Sequence, residues 1–419
     1  MPSANGVLWL DSGNNYHASA TLYDIIQGYG GSDTLYGGAG DQIIYGNGRP
    51  GQERSGDTGD YLYGQTGNDA LFGAEGDDFL DGGTGNNSID GGIGVDTVSY
   101  DSADQNVTVN LAAGTATAGS YATDTLVSIE NVTGSHTNTN HITGDGGANL
   151  LSGGVLADTL VGGAGNDTLT GGGGNDSLLG GSMNDLIGGE GGNDLVNGEA
   201  GDDHLFGSWG SDTLLGGTGN DSLNGGSWGD LLGGEGGNDS VFGAGGHDRL
   251  YGSWGNDTLL GGYGNDSLYG GTWGDILAGD AGNDLLGGQG GHDRLYGSSG
   301  DDTLYGGNGN DSLYGGWDSD TLIGGAGNDV FVFRTLAEVN LGAARDVVND
   351  FTAGQDHLDF TGMGMTFSTG SSFTNTAGEL IAVASGGNTI LSGDVDGDGA
   401  ADFEVMLLGV TNVTAGMFL

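Results

Sequence analysis

GGVLADTLV (153–161), GGAGNDTLT (162–170) and GGGGNDSLL (171–179) decide the architecture of this chain. Blocks of nine continue without insertion to GGAGNDVFV (324–332), 20 blocks in all. The first position is always Gly, the sixth always Asp, and the eighth always Leu, Ile, Val or Phe. A flexible Gly-rich linker would not hold an apolar column. Gly at positions one, two and four opens φ > 0 conformations, so GGxGxD reads as a turn. The last three residues read as a short strand whose eighth residue points inward. One block cannot bury its apolar residue alone. Stacked blocks can, which predicts an all-β solenoid.

The sixth-position column runs Asp158, Asp167, Asp176, Asp185, Asp194, Asp203, Asp212, Asp221, Asp230, Asp239, Asp248, Asp257, Asp266, Asp275, Asp284, Asp293, Asp302, Asp311, Asp320 and Asp329. Stacking places these carboxylates at roughly the 4.8 Å strand spacing, where they repel by several kcal/mol at an effective dielectric near ~20. Bound cations must neutralise them. Carboxylates and turn carbonyls form an all-oxygen ligand set, which suits Ca²⁺ rather than zinc or copper. With the degenerate block ending at Ser152, in which Asn149 takes the sixth position, the array has 21 turns. Its nearest same-edge pairs set an upper bound of about 19 ions.

Composition narrows the function. The 419 residues include 98 Gly, 2 Pro and no Cys. Lys+Arg is 6 against 57 Asp+Glu, a net charge of −51. Collagen needs abundant Pro and Gly at every third residue, so it is excluded. The charge argues against nucleic acid and anionic membrane surfaces. Without Cys there is no disulfide framework and no Cys-ligated zinc. No window approaches 18 apolar residues, so no membrane span is expected. Met1–Gly13 has neither a basic start nor an apolar run, so no classical signal peptide is read there.

A second array occupies 1–98. Sixth-position residues fall nine apart at Asp24, Asp33, Gln42, Gly51, Asp60, Asp69, Asp78, Asn87 and Asp96. Their core partners are Ile26, Leu35, Ile44, Leu62, Leu71, Leu80, Ile89 and Val98. GNGRPGQER (46–54) puts Glu53 in the core column and is expected to bulge outward. Asp33, Asp60, Asp69, Asp78 and Asp96 are the metal candidates here. Residues 99–143 break the register and carry alternating strands, expected to be a hairpin-like insert that caps or joins the stacks. The main array is taken as 144–332.

Three 45-residue copies, 180–224, 225–269 and 270–314, overlie the nonapeptides. If two blocks make a coil, Trp209 and Trp228 become neighbours on one edge and Trp254 and Trp273 on the other. Tyr251 and Tyr269 would stack on one face. These aromatics are either tolerated products of duplication or contact points for glycan or another copy of the chain.

The nonapeptide GGxGxDxUx, U being a large apolar residue, resembles that of the repeats-in-toxin (RTX) family. That resemblance implies a parallel β-roll with two nonapeptides per coil. It also implies Ca²⁺ between successive turns on each edge, so Asp158 would face Asp176 across an ion, and Asp167 would face Asp185. An apo chain that is expanded and folds on calcium follows. Residues 333–419 resemble the C-terminal region of serralysin-type secreted proteins. The matching stretches are DVVNDFTAGQDHLDF (346–360) and DVDGDGAADFEVMLLGV (394–410). This implies a capping and secretion-signal region and partnership with type I secretion machinery. Phe331, Phe333, Phe351 and Phe360 are expected to cap the roll. Asp346, Asp350 and Asp356 are candidates for a further ion, with Asp356 placed among the metal ligands. Asp394-x-Asp396-x-Asp398-Gly399 resembles the start of an EF-hand loop, but Val405 holds its twelfth position.

No His is followed by Glu, so the HExxH of serralysins is missing, and no stretch is left over for an epimerase module. Gly225-Gly-Ser227-Trp-Gly229 matches GxSxG but lies inside a repeat turn. His247-Asp248-Arg249 and His292-Asp293-Arg294 read as exposed decoration. The sequence therefore predicts a secreted, non-enzymatic, calcium-binding β-roll. Its expected role is structural or surface-assembly, as filament, matrix or surface layer, with a homo-oligomer as partner. The alternative is a polysaccharide- or surface-binding adhesin module that uses the Trp and Tyr edges.

Overall fold

The computed structural model describes residues 7–10, 13–18, 25–47, 58–119 and 122–419. The chain divides into two units, Met1–His204 and Leu205–Leu419. Each is a parallel β-solenoid. Among the described residues the only helical elements are four short 3-10 turns, all after Thr335.

In the first unit, Thr159–Ala164 pairs in parallel with Ser177–Ser182, Leu160 opposite Leu178. Thr168–Gly173 pairs with Leu186–Gly191 in a second ladder, Leu169 opposite Ile187. Each strand of the regular array lies beside the one 18 residues on, so two nonapeptides make one coil. The strands are six residues long, not the three that the repeat suggests. After the seventh to ninth positions the chain stays extended through the next block's first three residues. Gly163 pairs with Gly181 and Ala164 with Ser182, while the intervening Gly162 is skipped. The turn is therefore only positions four to six.

Near the N-terminus the ladder changes step. Thr34–Ala39 pairs with Tyr61–Thr66, 27 residues on, and Ile43 pairs with Ala70. One whole block is passed over, and this register stacks Tyr36 on Tyr63 with centroids 4.5 Å apart. The expected bulge at 46–54 and Asp24 fall largely or wholly outside the described residues.

Residues 99–143 are woven into the ladders. Thr123–Val127 adds in parallel to Ser88–Ile93. Thr115–Ala118 and Val107–Asn110 follow as antiparallel strands. Val107–Asn110 then pairs in parallel with Asn140–Thr143, which leads into Thr159–Ala164. The other ladder runs through Thr97–Ser99, Asn131–Thr133 and Leu150–Gly154, all parallel. The insert joins the arrays.

The second unit repeats the same two ladders, for example Arg249–Trp254 on Ser267–Thr272 in one and Ser240–Gly245 on Thr258–Tyr263 in the other. At its C-terminal end Thr321–Ala326 pairs with Asp346–Val348, and Val330–Val332 with His357–Asp359. Asp346–Val348 also takes Phe403–Leu407, which opens an antiparallel meander with Asn388–Asp394 and Glu379–Ser385. Phe331, Phe333, Phe351 and Phe360 are buried there. Phe333 stacks on Phe360 at 4.8 Å, so rings close the apolar column.

The core of each unit is a row of eighth-position side chains, one per block, essentially without solvent exposure. Burying each Leu contributes about 1.5–3 kcal/mol. Leu268 lies between Leu250 and Leu286 in its ladder and is fully buried. Leu268→Ala is expected to cost about 2–5 kcal/mol, read from denaturant unfolding in saturating calcium.

Candidate metal centre

Each sixth-position Asp among the described residues ends a turn and is buried, at most 4 % exposed. Its backbone N–H donates to Oδ1 of the Asp one coil on. The distances are 2.7 Å for Asp158 to Asp176 and 2.8 Å for Asp167 to Asp185. In the second unit the same bond runs from Asp212 to Asp230 (2.8 Å) through to Asp311 to Asp329 (2.9 Å). Residues 18 apart are thus in contact, as the resemblance to the RTX repeat implies.

The other oxygen differs. Oδ2 of Asp167, Asp176, Asp185 and of every column Asp from Asp230 to Asp329 is buried and accepts no hydrogen bond. A carboxylate oxygen left this way is costly unless a positive partner is supplied. The first-position glycine shapes its surroundings. A Cβ on Gly261 would lie 2.6 Å from Asp266 Oδ2 and 2.9 Å from the Gly279 carbonyl oxygen on the next coil. Two acceptors converge where the glycine has no side chain, and neither can donate. Gly261 itself is not in a positive-φ conformation, whereas Gly262 (φ 103°) and Gly264 (φ 134°) are. The sequence pattern alone assigns all three positions to φ > 0. The second and fourth glycines serve that purpose, and the first makes room for oxygen. Such a donor set fits a hard divalent cation.

Burial pushes the column carboxyls up, and the accepted backbone N–H only partly offsets it. Asp176, Asp185, Asp230, Asp239 and Asp275 rise to about 7, with the Asp residues one coil away on each side adding to the shift. Asp302 reaches about 8 for the same reasons.

The column extends past the nonapeptides. Asp320 N–H donates to Asp346 Oδ1 (3.0 Å) and Asp329 N–H to Asp356 Oδ1 (3.1 Å). Asp346 and Asp356 therefore follow different rows, and the expected three-carboxylate site is not assembled. Asp350 instead accepts from the N–H groups of Gly324 (2.9 Å) and Gly325 (2.8 Å). Asp356 Oδ2 accepts from Thr352 N–H at 2.6 Å, so Asp356 lacks the free oxygen of the repeat positions.

In the first array Asp33 N–H reaches Asp60 Oδ1 (2.7 Å), Asp60 reaches Asp78 (2.6 Å), and Asp78 reaches Asp96 (2.8 Å). Gln42 reaches Asp69 and Asp69 reaches Asn87 on the other edge. The rows then pass to residues that the spacing missed: Asp96 N–H donates to Glu130 Oε2 (2.8 Å) and Asn87 N–H to Asp124 Oδ1 (2.7 Å). The insert breaks the period of nine, so counting blocks could not find Asp124 or Glu130.

A second ladder lies outside the Asp rows. Fifth-position Asn side chains accept from the backbone one coil on, as Asn238 Oδ1 does from Asn256 N–H at 2.8 Å. His247 Nδ1 and His292 Nδ1 hold the same place, accepting from Asn265 (2.7 Å) and Asn310 (2.8 Å). They are ladder members, contrary to the expectation of decoration. Asp394, Asp396 and Asp398 bring carboxylate oxygens within 4.8 Å of one another on a hairpin. Asp394 is already held by the N–H groups of Gly397 and Gly399.

A family model described as the RTX calcium-binding nonapeptide repeat matches residues 24–48, 55–102 and 137–331, the last two as overlapping copies. The chain belongs to the RTX nonapeptide-repeat family. Repeats of this family bind Ca²⁺. No curated protein sequence matches the chain. Similar solved structures include two solution structures from the Azotobacter vinelandii mannuronan C5-epimerase. The AlgE6R3 subunit is 23 % identical over 37 % of this chain and 77 % of its own, with a TM-score of 0.26. The AlgE6R2 subunit is 32 % identical over 34 % and 90 %, with a TM-score of 0.25.

Gly261→Ala is expected to abolish the cradle beside Asp266 while leaving distant coils loaded. Equilibrium dialysis should show fewer ions bound per chain than wild type. Acid should act in two directions. Protons compete for the same oxygens, so calcium affinity falls as pH drops below about 7. In EDTA the raised carboxyls favour the folded form when protonated. That stabilisation is full below the unfolded value of 3.8 and is lost as pH rises through about 7. Metal-free chain should therefore gain β signal by circular dichroism as pH falls from about 8 to about 5.

Proposed function

We propose that this RTX protein is exported, folds on Ca²⁺ outside the cell, and serves as a non-catalytic structural or surface-assembly element (a filament, matrix or surface layer). The observation that carries this reading is the row of buried carboxylate oxygens without a hydrogen-bond donor. Such a chain stays unfolded where calcium is scarce and folds where it is abundant, which suits passage through a type I channel. Nearly all of its length is repeat or cap, which supports an architectural role. Electron microscopy in millimolar calcium against chelator tests it. Filaments or sheets that appear only with calcium are expected; isolated particles in both would overturn the assembly role.

A second reading, binding of polysaccharide, is favoured by the tryptophans. Trp209, Trp228, Trp254 and Trp273 are each at least 64 % exposed. The Gly225 carbonyl faces Gly207, so the blocks carrying Trp209 and Trp228 are successive coils of one edge. Trp254 pairs with Thr272, beside Trp273. Trp228 and Trp273 occupy left-handed backbone at φ 82° and 85°, costly for a bulky residue. A glycan array should show calcium-dependent binding that Trp209→Ala and Trp254→Ala weaken. No binding by the wild type would remove this reading.

A further inference from the structure

Where the insert meets the main array, Asn replaces Asp at neighbouring positions of both rows, and there the chain largely satisfies itself. Asn140 occupies the row position before Asp158. Its Nδ2 donates to the carbonyls of Ser135 and Asn138 and to Asp158 Oδ1, each at 3.0 Å, while its Oδ1 accepts from Ser135 N–H at 2.6 Å. Asn149 occupies the position before Asp167. Its Nδ2 donates to the Glu130 carbonyl at 2.8 Å and its Oδ1 accepts from Asp145 N–H at 2.8 Å.

Of the two carboxylates next in these rows, Asp158 is also served, whereas Asp167, which begins the calcium-dependent row, keeps an Oδ2 without a donor. Asp158 Oδ2 accepts from Gly154 N–H at 2.6 Å, and Asp124 Oδ2 accepts from the Tyr100 hydroxyl at 3.0 Å. The contrast with Asp176, Asp185 and the Asp230–Asp329 rows, whose Oδ2 atoms have no donor, is direct. At Asn140 a neutral amide donates to the facing carboxylate in place of a cation, and at Asn149 an amide tied to Glu130 removes one of two facing charges.

A separate observation points the same way. Between Tyr100 and Leu151, ten apolar residues are buried among the described residues: Tyr100, three on Val107–Leu111, then Ala116, Leu126, Ile129, Val132, Ile142 and Leu151. The nonapeptide array buries one per nine residues. The meander there is antiparallel with short connections, so its contacts form locally without closing long loops.

We propose that residues 100–154 form a cation-independent coil that stays folded when calcium is withdrawn and templates the calcium-dependent coils added to it. The inference rests on the calcium reading of the Asp rows. Calcium adds coils outward from Thr159–Ala164 on one side and Ser88–Ile93 on the other, each new strand pairing with a formed edge.

Hydrogen–deuterium exchange with mass spectrometry on the full-length chain tests it. In excess EDTA, peptides from 100–154 are expected to exchange at least about tenfold more slowly than those from 207–329. In calcium both are protected. Asn140→Ala/Asn149→Ala removes the amide donors without adding charge and should lose the EDTA protection. Asn140→Asp/Asn149→Asp should lose it in EDTA, regain it in calcium, and bind additional calcium. Equal, fast exchange of both regions in EDTA overturns this proposal alone, as does undiminished protection in either double variant. Protection of 207–329 in EDTA would instead overturn the calcium reading, and this proposal with it.

Discussion

Along the rows from Asp230 to Asp329, each turn buries a carboxylate oxygen that has no donor, and at many of these turns a glycine carbonyl of the next coil faces it. Everything else in the structure is arranged around that confrontation. Neighbouring carboxylates at ~4.8 Å cost about 3 kcal/mol per pair at an effective dielectric near 20. One buried Leu per block offsets a comparable amount. The balance between core and charge is therefore close, and the cation decides which side prevails. This is why the charge of −51 and the monotony of the repeat belong together. The apolar column supplies cohesion that is sufficient only once the acidic columns are neutralised.

Much of this was legible in the residues because the repeat makes three columns visible at once. Asp158 to Asp329 follow from counting in nines; the 18-residue coil, and with it the stacking of Tyr251 on Tyr269 (5.2 Å between centroids), follows from the resemblance to the RTX repeat. Counting fails where the count is broken. The insert restarts the register through antiparallel strands, so Asp124, Glu130 and Asn140 sit in the rows without any period to announce them. Asp346 and Asp350 look alike in sequence, yet one extends a row and the other holds two backbone N–H groups of a turn. The glycine columns were read as alike because Gly serves two needs with one letter. Positive φ explains Gly262 and Gly264, while Gly261 is needed for a close approach of oxygen that only coordinates display.

The outer rows refine the picture of the turns. Fifth-position Asn and His side chains tie each coil to the next from the solvent side, which fixes the turn on the flank opposite the Asp. The inner and outer ladders together hold a turn of only three residues between six-residue strands. A turn so constrained presents its remaining side chains at regular intervals. Trp209 and Trp254 end the six-residue strands, Trp228 and Trp273 open the turns that follow theirs, and all four are exposed.

The central claim is that the facing oxygens require a divalent cation. Far-ultraviolet circular dichroism at neutral pH, in calcium and in excess EDTA, tests it most directly. The account predicts a β spectrum with a cooperative thermal transition in calcium, and loss of most of that β signal in EDTA. The same heat-resistant β spectrum in both conditions would contradict it.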